Sequence, residues 1–374
     1  MKIFFVAILT ITINLTAGGL KVKEIDKRIM DHLFNGETEL ADSLIESQIK
    51  ITNNKLKYYS IKLPVLFYSR YLSNTPQTRE STLEQIEKYG QLAIAASESM
   101  GESVEKNFYL GTCYGYLSRV YGMRQEYWNA FWAAKDCINY LEGVLEDDPD
   151  YYDAYMGLAV IEYYTGTRLT GFMGTVAWLT GMSGDRILGM QYFHNVYEKG
   201  SLFNTEAHFA LATLYRFMEP DPAKAMELMD SFLLKYPKNI FISNNRQRME
   251  VQLVIEQKGI QELIAEKDSL KAKYNLADAS VLNTIGYQLV GEEKYDDALS
   301  LFKLNIELFP SIANCYDSLA ECFMTTGNYV ESIKYYKIAI DKLAKDETLN
   351  EDGRNTFRER IKEQLKELES LVNS

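Results

Sequence analysis

The feature that most constrains this chain is a repeat. Sliding Ala279–Lys345 by 34 residues puts Leu282 on Tyr316, Ile285 on Leu319, Gly286 on Ala320 and Leu289 on Phe323. In the same register Tyr295 falls on Tyr329, Ala298 on Ser332 and Phe302 on Tyr336. Leu282, Ile285 and Leu289 recur at helical spacing, so each copy has a helix with one apolar stripe. Small Gly286 and Ala320 face small Ala298 and Ser332 on a second helix, which lets two backbones approach closely. Pro310 follows the second helix of the first copy, where a helix stops readily. A unit this short cannot bury its apolar face alone, so neighbouring units must stack.

This period and pattern resemble the tetratricopeptide repeat, a pair of antiparallel helices. The resemblance implies an all-α, right-handed superhelix of about six to eight helix pairs. It also implies that the first helix of each pair lines a concave groove. The same grammar returns at Ala154, Tyr155, Leu158, Ala159 and Gly166, and again at Ala207, His208, Leu211, Ala212 and Tyr215. Tyr155 and His208 stand 53 apart, 19 more than one period, and Thr165–Gly184 accounts for the excess as an insertion. The expected organisation is then degenerate helical repeats over 20–150, repeats with the insertion 165–184 over 151–238, and a degenerate repeat over 239–278. Two clear repeats over 279–345 and a charged capping helix over 346–374 complete one continuous array. Pro64, inside the apolar period of Lys55–Leu72, predicts a kink or break there.

Lys2, the apolar run Ile3–Leu15 and Thr16-Ala17-Gly18-Gly19 have the layout of a secretory signal peptide over 1–19. An exported protein is expected, periplasmic or extracellular in a Gram-negative cell; an uncleaved membrane anchor is the competing reading. The net charge of −12 repels phosphate backbones, which argues against a nucleic-acid partner. Cys315 and Cys322 are too far apart on one predicted helix for a disulfide. Cys113 and Cys137, on consecutive antiparallel helices, are either a disulfide or two buried thiols.

The insertion alternates Gly166, Gly171, Gly174, Gly181 and Gly184 with Leu169, Phe172, Met173, Val176, Trp178, Leu179 and Met182. The run Trp178-Leu179-Thr180-Gly181-Met182-Ser183-Gly184-Asp185-Arg186, with Leu188-Gly189 behind it, resembles the "GFSGDR…GL" segment of the yeast inclusion-body-clearance protein and its animal tetratricopeptide relatives. That resemblance covers roughly residues 150–240. It implies intracellular proteins linked to protein inclusions and lipid droplets, a setting from which the signal peptide departs. The residues themselves leave two readings. One is an apolar plug filling the superhelix, with Ser183 or Asp185 capping the next helix and Arg186 paired to a carboxylate. The other is a lipid-contacting loop built on Phe172, Met173, Trp178 and Leu179.

Signs of catalysis are sparse. His32, His194 and His208 fall on three separate predicted helices. His194 and His208, with Glu198 or Glu206, are the nearest approach to a metal pair, and no HExxH spacing supports it. No G-x-S-x-G elbow or nucleophile signature occurs. The expectation is a non-enzyme with no cofactor, binding a protein or peptide in its groove. The groove candidates are Asp153, Tyr163, Phe209 and Arg216 in the middle of the chain, then Asn283, Tyr287, Asn314, Asp317 and Glu321. Asp317 and Glu321, one helical turn apart, predict a partner with a basic segment and an apolar portion toward Phe209 and Tyr163. The alternative is that both are ordinary surface acids.

Overall fold

The computed structural model describes residues 20, 22–72, 79–168, 184–219 and 221–373, and those residues form helices and turns with no strand among them. The expected signal segment and most of the insertion, with Phe172, Met173, Trp178 and Leu179, lie outside the described residues. Antiparallel pairs follow in order: α1 (Glu24–Phe34) with α2 (Thr38–Ile51), α3 (Lys55–Leu72) with α4 (Arg79–Ser97), and α5 (Val104–Met123) with α6 (Tyr127–Asp147). After a 3-10 turn at Tyr152–Ala154 come α7 (Tyr155–Arg168) with α8 (Arg186–Lys199) and α9 (Asn204–Phe217) with α10 (Pro222–Lys235). The degenerate repeat is a long α11 (Ile240–Lys258) followed by two short pieces, α12 (Ile260–Ala265) and α13 (Lys267–Lys273). The two clear repeats are α14 (Ser280–Gly291) with α15 (Tyr295–Leu308) and α16 (Ala313–Thr325) with α17 (Tyr329–Leu343), and α18 (Glu351–Asn373) closes the chain.

Local chemistry sets the helix ends. Asp185 accepts from the amides of Ile187 at 2.8 Å and Leu188 at 3.1 Å, capping α8. Asp221 does the same for Lys224 at 3.0 Å, with Pro222 at the first position of α10. Asp148 and Pro149 stop α6. Pro64 does not stop α3. The helix runs through it because Ile61, Leu63, Val65 and Leu66 are all buried, so packing on every side holds the segment across the missing hydrogen bond.

The chain divides within α11 into two compact units, Met1–Phe241 and Ile242–Ser374, where the repeat pattern alone reads as one continuous superhelix. In the first unit the row of first helices curls back on itself, and α1 packs against both α3 and α9. On one side a buried ion pair joins Asp26 to Lys57 at 2.5 Å. On the other, Asn239 donates to the Phe34 carbonyl at 2.6 Å and Tyr236 to Asp31 at 2.5 Å. Gly36 makes the turn that allows this: its φ is +81°, and a β-carbon there would stand 2.9 Å from the Lys238 carbonyl oxygen. The aromatic rings of Phe34, Tyr68, Phe209 and Phe232 fill the closed interior.

In the second unit the small residues of the repeat hold its helices together. Ala298, Ala320 and Ser332 are fully buried, and a β-carbon on Gly286 would lie 2.5 Å from the Phe302 ring. Leu282, Ile285, Leu301, Leu319 and Tyr336 form the core around them, and α18 adds Ile361, Leu365 and Leu368. Ala320→Leu should therefore overpack the contact and destabilise the unit by about 1–3 kcal/mol. Chemical denaturation measures this, and an unchanged midpoint would mean that the repeat register is misassigned.

Candidate functional site

The four groove candidates of the first unit meet different fates, and three of them face a core. Asp153 is 3% exposed, and its carboxylate accepts from the amides of Ser201 at 2.9 Å, Leu202 at 2.8 Å and Phe203 at 2.7 Å. Burial raises its pKa against the pull of those three amides. It anchors the start of α9 and is not a groove residue. Phe209 lies among Phe34, Tyr68, Phe232 and Phe241. Tyr163 is fully buried and donates to Glu219 at 2.7 Å, while Arg186 pairs with the same carboxylate, as its expected partnering requires. Arg216 is half-buried with its guanidinium beside the Phe217 ring. The correction has one cause: in an array that curls closed, the inward positions of the first helices point into packed interior.

That interior holds a polar cluster that sequence reasoning did not assemble. Glu206, fully buried, accepts from the hydroxyls of Tyr116 at 2.7 Å and Tyr68 at 3.0 Å, and Arg119 lies 3.5 Å away. The Arg119 guanidinium stacks over Tyr116 at 4.4 Å and Phe67 at 5.5 Å. Burial pushes the Glu206 pKa up, opposed by Arg119 and then by the two hydroxyls. The two hydroxyls come from α3 and α5, 138 and 90 residues distant from Glu206 on α9, so no local spacing announces them.

The second unit keeps part of its inner face accessible. Asn283 and Asn314 are half-buried, and Tyr287 is 37% exposed. The Tyr287 hydroxyl donates to Glu321 at 2.5 Å and lies 3.1 Å from the Ser318 hydroxyl, joining α14 to α16. Asn283 has a buried Oδ1 with no hydrogen-bond partner. Asp317 and Glu321 do not form an open acidic pair. Asp317 is 3% exposed and accepts from Arg360 of α18 at 2.7 Å, so the chain itself supplies the cation that a basic partner was expected to bring. Burial raises the Asp317 pKa, and Arg360 works against that rise.

His32 pairs with Glu37 at 2.7 Å, while the other two histidines and the cysteines are used in packing. His208 lies 2.9 Å from the Leu228 carbonyl, and burial lowers its pKa to about 4, so it is neutral near pH 7 and donates. His194 meets the Tyr215 hydroxyl at 3.2 Å. Among the described residues no group of three His, Cys, Asp or Glu is placed to hold a metal. All four cysteines are buried free thiols, and Cys113 donates to the Gly90 carbonyl instead of bonding to Cys137. Burial pushes Cys137 and Cys315 up to about 12 and Cys322 up to about 11.

No family model matches the sequence, and no curated protein matches it. Among solved structures the chain is similar to yeast Tom70, at 13% identity and a TM-score of 0.32, covering 86% of this chain and 69% of that one. The human IFIT1 dimer with m7Gppp-AAAA gives 14% identity and a TM-score of 0.28, over 84% and 72% of the two chains. The tetratricopeptide domain of P58(IPK) gives 13% identity and a TM-score of 0.23, over 92% and 99%. These overlaps carry no functional argument. The chain is an all-α protein of tetratricopeptide-like helix pairs on the strength of its own small-residue contacts.

Removing Arg360 leaves the Asp317 carboxylate buried without its cation. Arg360→Ala should cost about 1–3 kcal/mol near pH 7, toward the lower end because the side chain of Arg360 is 44% exposed. A raised acid pKa confers stability that is present at low pH and lost as pH rises through it. The deficit should therefore shrink as acid protonates Asp317, and Asp317→Asn should suppress it. A deficit that does not vary with pH in denaturation curves would show that Arg360 acts only by packing.

Proposed function

We propose that the chain is a non-catalytic scaffold that holds a polypeptide segment on the accessible inner face of its second unit. The observation that carries this reading is the partly exposed Tyr287 of α14, which lies one turn from the half-buried Asn283 and whose hydroxyl reaches Glu321 of α16. An extended segment offers backbone N–H groups to the Glu321 carboxylate and carbonyls to amide donors such as that of the half-buried Asn314. Of the two acids, Glu321 is the one left to meet a basic residue, because Arg360 already holds Asp317. A photo-crosslinking residue at Tyr287 should capture a partner that the same residue at Val330, 65% exposed, does not. Asn283→Ala with Glu321→Ala should then weaken that partner about tenfold while the variant keeps its helical circular dichroism at the temperature of the measurement. Equal capture at both positions would contradict the assignment.

Export is the second part of the proposal, supported by Lys2, the apolar run Ile3–Leu15 and the small residues behind it. Mass spectrometry of the protein from its own cells should find a chain starting between Gly18 and Lys21. An intact Met1 in a cytoplasmic fraction would contradict it.

A further inference from the structure

α6 turns its largest apolar side chains away from the fold. Its inner face is built from Ala133, Ala134, Cys137, Leu141 and Val144, all buried. Tyr127, Trp128 and Trp132 stand 51%, 65% and 56% exposed. Phe131, half-buried between them, packs edge-on against Trp128 at 6.2 Å and Trp132 at 5.2 Å. The spacing of these four rings puts them on one side of the first two turns. Together they offer roughly 400 Å² of ring surface to the surroundings, taking about 200 Å² as the area of one such side chain.

Three properties select what covers this patch. First, three of the four rings belong to Trp or Tyr. Side chains with an apolar body and a polar tip settle at the boundary between headgroups and acyl chains. Second, Lys135, one turn further on, holds its ammonium 5.4 Å over the Trp132 ring. Its hydrocarbon stem lies along the patch while the charge can reach a phosphate. Third, two copies joined through this patch would bury roughly 800 Å² in total, below the ~1,200 Å² of a stable interface. Partition of a helix face into a lipid boundary has no such threshold and scales with the apolar area buried. The net charge of −12 makes a strongly anionic surface an unfavourable target. We infer that the aromatic face of α6 docks the protein on a phospholipid surface, with Tyr127, Trp128, Phe131 and Trp132 at the headgroup boundary and Lys135 against phosphate.

Tryptophan fluorescence of the full chain tests this, because the sequence has three tryptophans and the third is Trp178. In the Trp178→Phe protein every tryptophan signal comes from α6. Its emission should shift to the blue and be quenched on adding vesicles of brominated phosphatidylcholine. Trp128→Ser with Trp132→Ser removes exposed side chains and should leave the helical circular dichroism intact. Flotation with phosphatidylcholine vesicles should fall at least about tenfold in that variant. Adding phosphatidylglycerol should not raise binding by the unaltered protein. Quenching that disappears in Trp178→Phe would move the lipid contact to the insertion and overturn the proposal. A double variant that floats as well as the unaltered protein would also overturn it. So would an unaltered protein that ignores vesicles but forms dimers that the double variant cannot.

Discussion

Everything in this molecule depends on helices coming close enough for small residues to matter. Gly286 against Phe302 sets the spacing within one repeat of the second unit. Gly157 against Leu141 and Gly189 against the Tyr163 backbone do the same work in the first, with hypothetical β-carbons at 2.5 and 2.6 Å. No larger residue fits at those distances without moving its neighbour. Close pairing fixes the direction in which each first helix presents its inner face, and so decides which side chains meet solvent and which meet one another.

The two units answer that question differently. In the first, α1 returns to α9, and the inward face becomes an aromatic core containing a buried carboxylate, two tyrosine hydroxyls and an arginine. Such a cluster is stable only if its members satisfy one another, since each alone would bring an uncompensated desolvation cost. Glu206 meets that condition through Oε1, which takes Tyr68 and Tyr116 and faces Arg119, while Glu206 Oε2 and Arg119 Nε make no hydrogen bond. In the second unit the inward face stays partly open, and α18 covers Asp317 while leaving Tyr287 accessible. The proposed binding face therefore lies on α14 and α16.

The helices were legible in the sequence because their signals are local. An apolar stripe, Asp185 ahead of α8, Asn35-Gly36 between α1 and α2, and Asp148-Pro149 after α6 each act within a few residues. The partners of the inward side chains were not legible. Periodicity says which face a residue occupies but not what stands opposite. Asp153 finds its amides about 50 residues away, Asn239 reaches the Phe34 carbonyl across 205, and Arg360 reaches Asp317 across 43. Pro64 does not break α3 for a related reason: packing from four buried neighbours carries the helix through it. The aromatic face of α6 was visible as letters, but whether those rings faced inward or outward depended on where α5 and α7 lay.

The central claim is that the inward face is closed in the first unit and accessible in the second. Thiol labelling of single substitutions in the native protein tests it most directly, because the chain's own cysteines are all buried. Met156 of α7, one turn after Asp153 at the next inward repeat position, is 3% exposed, and Tyr287 is 37% exposed, so Met156→Cys and Tyr287→Cys sample the two faces. The account predicts that the thiol at position 287 reacts with a water-soluble maleimide under native conditions, while the one at 156 reacts only after unfolding. Comparable native labelling at both positions would mean an open groove along the first unit as well, and would contradict it.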